Sequence, residues 1–159
     1  MTFTVLIRKV INKKKYKIAL DYTYKLHLNH DRKGELKIPY FIHLSSVSNY
    51  VIENGGTTDE AIGALLHDAV EDQGGVKTLK VIRTKFGSKV ATIVKECSDS
   101  VVEPKPPWSE RKKKYISDIK KKTQSSMFVS LCDKLHNGRC IIDDHKLSLI
   151  HISEPTRPY

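Results

Sequence analysis

Four side chains able to exchange protons or hold a cation fall within six residues. They are His67-Asp68 and Glu71-Asp72, in the run Ala61-Ile-Gly-Ala-Leu-Leu-His-Asp-Ala-Val-Glu-Asp72. On a helix, residues four apart share a face, which pairs His67 with Glu71 and Asp68 with Asp72. Burying three carboxylates and an imidazole beside Leu65, Leu66, Ala69 and Val70 is costly without a compensating positive charge. A metal ion supplies that compensation most simply. The plain alternative is an exposed acidic helix end.

Two other stretches offer ligands. Ile38-Pro-Tyr-Phe-Ile-His43 places a histidine where a proline-started apolar run turns into a helix. Phe128-Val-Ser-Leu-Cys-Asp-Lys-Leu-His-Asn137 places Asp133 in an apolar helix, with Asn137 four residues later on the same face. Two histidines and two carboxylates drawn from three helices can enclose one divalent ion, and mixed nitrogen and oxygen ligation suits Mn²⁺, Fe²⁺ or Zn²⁺. Singly, each is weak. A lone His43 is more often a capping or core residue, and a lone Asp133 more often a salt-bridge partner.

The elements that must position these groups read as helical throughout. Tyr16, Leu20, Tyr24 and Leu28 recur every fourth residue and predict a helix from about Lys14 to Leu28. A polar loop follows to Pro39, then a helix from about His43 to Glu53, stopped by Asn54-Gly55-Gly56. Thr57-Thr-Asp-Glu60 matches a capping box opening the helix that carries His67-Asp68. Gly74-Gly75 ends that segment, and Val76–Phe86 and Ser88–Cys97 make two further helices punctuated by Gly87. Glu103–Pro107 is a rigid proline connector, Ser109–Lys122 a basic helix, and Ser125–Asp143 a helix with Phe128, Leu131, Cys132 and Leu135 toward the core. Only Thr2–Ile7 is strand-like. The fold class is all-α.

Composition narrows the function classes. At 159 residues, one domain with a substantial core is expected, and 39% apolar and 29% charged residues describe an ordinary globular protein. No run is long enough to span a membrane. The apolar Thr2–Ile7 precedes Lys13–Lys15, the reverse of a secretory signal. Cys97, Cys132 and Cys140 form no C-x-x-C pair and read as reduced, mostly buried thiols of a cytoplasmic protein. The net charge of +10 could favour nucleic acid or a small polyphosphate. No aromatic-interleaved basic patch or zinc finger supports nucleic acid, and Lys120–Lys122 reads as a solvated helix face.

Taken together, the order H…HD…D and its flanking motifs are specific. The chain resembles the HD superfamily of metal-dependent phosphohydrolases, and within it the stand-alone or RelA/SpoT-type guanosine polyphosphate (alarmone) 3′-pyrophosphohydrolases. The resemblance covers about Tyr16 to His145. It rests on His27-x-x-x-x-Arg32-Lys33, Ile38-Pro-Tyr-x-x-His43, Ala64-Leu-Leu-His-Asp68 with Glu71-Asp72, Phe86-Gly87, Trp108-x-x-Arg111-Lys112 and Asp133-Lys-Leu-His-Asn137. It implies an HD-domain helical bundle in which His43, His67, Asp68 and Asp133 hold Mn²⁺. Glu71 and Asp72 would then activate or orient the water that attacks the 3′-pyrophosphate. Arg32 and Lys33 would line the nucleotide pocket, Tyr40 and Asn137 shape the same cleft, and Arg111 and Lys112 contact phosphates. The implied partner is a small-molecule nucleotide, with neither nucleic acid nor membrane, in a cytoplasmic protein of the stringent response. Leu44 stands where the family usually has proline, and Gln73-Gly74-Gly75 where it usually has threonine. His30, His136, His145 and His151 match no ligand position and read as surface or packing residues.

The tail is set apart. Leu147-Ser-Leu-Ile-His-Ile-Ser-Glu-Pro-Thr-Arg157 reads as an in-frame translation of a sequencing adapter, so residues 1–146 are taken as the native HD-type domain and 147–159 as foreign. On that reading the domain is C-terminally truncated, lacks closing helices and is expected to be poorly stable. Two other functions compete: an HD phosphohydrolase acting on another phosphorylated nucleotide or cofactor, and a non-catalytic nucleotide-sensing module.

Overall fold

The computed structural model describes residues 10–32, 37–100 and 106–153, with side chains described through residue 146. The strand-like Thr2–Ile7, Lys33 and most of the proline connector lie outside the described residues. Helix α1 is Lys13–Leu26, α2 Tyr40–Glu53, α3 Thr58–Leu65, α4 Ala69–Asp72, α5 Gly75–Phe86, α6 Ser88–Cys97, α7 Trp108–Asp118 and α8 Gln124–Ser153, with a short 3₁₀ turn at Ile119–Lys121. Among the described residues the only β pairing is an isolated bridge between Asp31 and Pro39. The all-α expectation holds.

Helix α3 is the axis. Its start is set locally: the Thr57 hydroxyl accepts from the Glu60 backbone N–H while the Glu60 carboxylate accepts from that of Thr57, the reciprocal capping box anticipated from sequence. Ala61 through Leu65 are all buried, as expected of a helix apolar on every side. Ile62 and Leu65 join Ala19 of α1, Ile82 and Phe86 of α5 and Val90, Ala91 and Val94 of α6 in one apolar cluster. Ala61 and Ala64 face Val47 and Val51 of α2, Ile93 of α6 and Val129 and Cys132 of α8 in a second. Gly63 lets α6 approach closely, since a Cβ there would stand 2.6 Å from Ile93 Cγ2.

Several sequence expectations are corrected. Helix α2 begins at Tyr40, not near His43, because Pro39 already holds an extended N-cap conformation. The segment carrying His67-Asp68 is not one helix: α3 ends at Leu65, residues 66–68 form a turn, and α4 follows as a single helical turn. His67 and Glu71 therefore do not share a continuous helical face. In α1 the buried positions are Ala19 and Thr23, while Tyr24 and Leu28 are exposed. In α8 the inward residues are Ser126, Val129, Cys132 and Asp133, with Phe128 half-buried, and Leu131 and Leu135 point outward. Of the free cysteines, Cys132 is buried and Cys97 and Cys140 are partly so. Lys122 is not simply solvated, since its ammonium lies 3.4 Å from the Tyr115 ring centroid. Helix α8 runs through Ser153, past Leu147. A helical backbone does not separate native from foreign sequence, and the adapter reading remains a proposal resting on its eleven matching residues.

Candidate metal centre

Three elements deliver the site. The first turn of α2 carries Tyr40 and His43, three residues apart on one face, so their rings meet edge-on at 5.4 Å. The break after α3 presents His67 and Asp68, and the middle of α8 presents Asp133. Breaking the helix at Leu65 is what turns His67 inward: its Nδ1 lies 2.7 Å from the Ala64 carbonyl. A carbonyl can only accept, so Nδ1 carries a proton and Nε2 is the nitrogen turned toward the carboxylates.

The four predicted ligands converge. His43, His67 and Asp133, each at most 7% exposed, offer ligand atoms all within 4.8 Å of one another. Asp68 joins through Oδ2, 3.0 Å from His67 Nε2 and 3.9 Å from His43 Nε2. Asp133 Oδ1 is 3.3 Å from His43 Nε2 and 3.5 Å from His67 Nε2. His67 Nε2 is fully enclosed and has no partner in hydrogen-bond geometry. An enclosed ring nitrogen without a hydrogen-bond partner, facing two carboxylates, is a position a cation would fill, and the donor set of two imidazole nitrogens and two carboxylate oxygens fits Mn²⁺, Fe²⁺ or Zn²⁺.

Electrostatics agree with the geometry. Burial opposes a charged imidazole, yet Asp68 and Asp133 together hold the His67 pKa well above its ordinary value, so a proton on Nε2 stands where a cation would otherwise balance the carboxylates. Burial likewise works against ionised Asp68 and Asp133, but His67 and the Tyr40 hydroxyl hold the Asp68 carboxyl, and His43 and His67 the Asp133 carboxyl, well below the usual range. His43 is shifted down by burial, with Asp133 opposing. The carboxylates stay ionised.

A ring of partners orients these groups. The Tyr40 hydroxyl donates to Asp68 Oδ2 at 2.6 Å, and its ring stacks on His30 at 4.1 Å with His27 behind. Asn137 Nδ2 donates to Asp133 Oδ1 and Lys134 Nζ to Asp133 Oδ2, both at 2.6 Å. Arg32 Nη2 in turn donates to Asn137 Oδ1 at 3.2 Å. Tyr40 and Asn137, expected to shape a substrate cleft, here hydrogen-bond the Asp68 and Asp133 carboxylates, and Arg32 touches the site through Asn137. Glu71 accepts from Arg111 Nη1 at 3.3 Å and from the Asp99 backbone N–H at 3.5 Å. Arg111 and Lys112 both donate to the buried Asp99 carboxylate, Lys112 at 2.6 Å. Both cations, for which phosphate contact or a solvated helix face is expected, are here paired with Asp99 beside Glu71. Asp72 lies exposed at the end of α4. The Gln73-Gly74-Gly75 loop closes on itself, with Gly74 at φ +103° and the Thr78 hydroxyl donating to the Gln73 carbonyl.

Sequence reasoning missed Asp99, Lys134 and His136. His136 lies one helical turn beyond Asp133, a spacing that could have flagged it, and its Nδ1 is 2.9 Å from His43 Nδ1. Asp99 sits in an irregular turn after α6, where no periodicity marks it.

An all-helical core that gathers a histidine, a His-Asp pair and a distant aspartate around one point is the arrangement of HD domains. The chain belongs to that family, which matches residues 19–151. Within it, the chain is 36% identical to the Xenopus tropicalis guanosine-3′,5′-bis(diphosphate) 3′-pyrophosphohydrolase MESH1 over 123 residues, 76% of this chain and 66% of that protein. It is 32% identical to the Drosophila melanogaster MESH1 over 127 residues, 79% and 68% of the two chains. The chain therefore spans about two thirds of the length of these relatives. A solved structure of a metazoan ortholog of SpoT, described as hydrolysing ppGpp with a role in starvation responses, superposes with a TM-score of 0.73 at 27% identity, covering 82% of this chain and 71% of that one.

Proposed function

We propose that this protein is a metal-dependent hydrolase that removes the 3′-pyrophosphate of guanosine tetra- and pentaphosphate. The observation that carries the reading is the convergence of His43, His67, Asp68 and Asp133 on one enclosed point, in a chain whose relatives are named for this reaction. Mn²⁺ is the ion we assign to those four residues. When bound, such an ion neutralises phosphate charge and acidifies water. The reaction adds water across the phosphoester between the ribose 3′ oxygen and pyrophosphate, so one proton must be accepted and one returned to the leaving oxygen. Glu71 and Asp72 are the residues proposed to take and orient that water, with Glu71 held in place by its ion pair to Arg111. Arg32 and Lys33 are proposed for the nucleotide and Tyr40 and Asn137 for the walls of its cleft, with a cytoplasmic role in the stringent response. Phosphate contact by Arg111 and Lys112 would require each to give up Asp99.

The test is direct. Mn²⁺-loaded protein incubated with guanosine tetraphosphate should release pyrophosphate, and Asp133→Ala should lower the rate at least a hundredfold together with metal content. Turnover of other phosphorylated nucleotides in a parallel panel, with none of guanosine tetraphosphate, would move the substrate assignment. No turnover of any would sink the enzyme.

A further inference from the structure

We propose that His136, a residue with no role in the reading above, is the positioning residue that fixes which nitrogen of His43 faces the metal; this rests on that metal-dependent reading. Each of the other three ligands already has an identifiable outer partner. The Ala64 carbonyl orients His67, the Tyr40 hydroxyl holds Asp68, and Asn137 and Lys134 hold Asp133. His43 is 1% exposed and has Nε2 turned toward Asp133 and Asp68 and Nδ1 turned away. What meets that outer nitrogen is His136 Nδ1, at 2.9 Å, with the two rings tilted 53° and their centroids 4.9 Å apart.

Two ring nitrogens at this distance cannot both donate or both accept. With a cation on His43 Nε2, the His43 proton resides on Nδ1, which must donate; His136 Nδ1 is then the acceptor. His136 is itself fixed, because α8 carries it one turn beyond Asp133 and the Cys140 thiol lies 3.7 Å from its Nδ1. The same helix therefore supplies a ligand and the orienter of a second ligand on another helix.

Zn²⁺, which is diamagnetic, is the probe. Its affinity is measured by chelator competition for the wild type, His136→Phe and His136→Asn, and the protonated nitrogen of His43 is read by ¹⁵N imidazole NMR of the Zn²⁺-loaded wild type. Removing such an outer partner typically costs 10- to 100-fold in metal affinity, so His136→Phe should weaken Zn²⁺ binding by roughly tenfold or more. His136→Asn, whose carbonyl oxygen stands near the place of Nδ1, should recover most of it. The NMR should find the His43 proton on Nδ1. Unchanged Zn²⁺ affinity in His136→Phe, or a His43 ring that binds Zn²⁺ through Nδ1, overturns the inference while leaving the hydrolase reading intact. Should the wild type take up no Zn²⁺ at all, both fall. The NMR on the wild type decides the point even if the phenylalanine variant does not fold.

Discussion

At the scale of single residues, Tyr40 separates two roles that look alike in sequence. A tyrosine before a metal-type histidine can touch substrate or hold a ligand, and here its hydroxyl is spent on Asp68. Tyr40→Phe keeps the ring on His30 and removes only that donor. We expect Mn²⁺ affinity to fall about tenfold, close to 1.4 kcal/mol, with the melting temperature little changed. Chelator competition checks it; an unaltered affinity with a raised KM would return Tyr40 to the substrate. Residue types and their order made the convergence of His43, His67, Asp68 and Asp133 legible, because few other patterns space two histidines and two aspartates through apolar segments in this way. The partners were harder to see. Arg111 and Lys112 carry the charge expected of phosphate contacts, and nothing in their neighbourhood of sequence reveals Asp99.

At the scale of elements, local signals were read well and facial choices less so. The Thr57–Glu60 box and the glycine between α5 and α6 act over three or four residues, so their outcome follows from composition alone. Helix α8 offers two apolar stripes that share Cys132. Phe128-Leu131-Leu135 and Val129-Cys132 both satisfy helical spacing, and only packing against α2, α3 and α6 selects the second. The selection is measurable. Val129 is fully buried and Leu131 is 66% exposed. Val129→Ala should cost roughly 1–3 kcal/mol, and Leu131→Ala under about 0.5 kcal/mol despite deleting more carbon. Urea titration of both variants checks this, and equal losses would mean the helix is rotated from the orientation described. The break at residues 66–68 escaped the sequence for a related reason. Leu66-His-Asp continues the helical pattern without a glycine or proline, and the turn pays off only once His67 can reach back to the Ala64 carbonyl.

At the scale of the whole molecule, the interior sets a limit on acidity. His27 closes α1, is 1% exposed, and is shifted down to about 4 by burial, with His30 adding to the shift. The unfolded imidazole titrates near 6.5, so between those values the unfolded chain binds the extra proton and stability falls as pH is lowered. Going from pH 7 to pH 5 should lose up to about 2 kcal/mol through His27 alone, and His27→Phe should flatten the slope by a similar amount. Urea midpoints at the two pH values decide it; parallel slopes for variant and wild type would refute the assignment. His136, lowered to about 4 by burial and His43, adds in the same direction and is present in both proteins.

The wide separation of the site's contributors along the chain has a consequence during synthesis. His43 and His67 leave the ribosome long before Asp133, and α3 can be laid down while the place for α8 is still open. Until that long helix arrives, a nascent chain offers His43, His67 and Asp68 but not Asp133, so the proposed ligand set is incomplete. On the proposed metal-dependent reading, a proteolytic cut that frees α8 should release ion and activity in the same event.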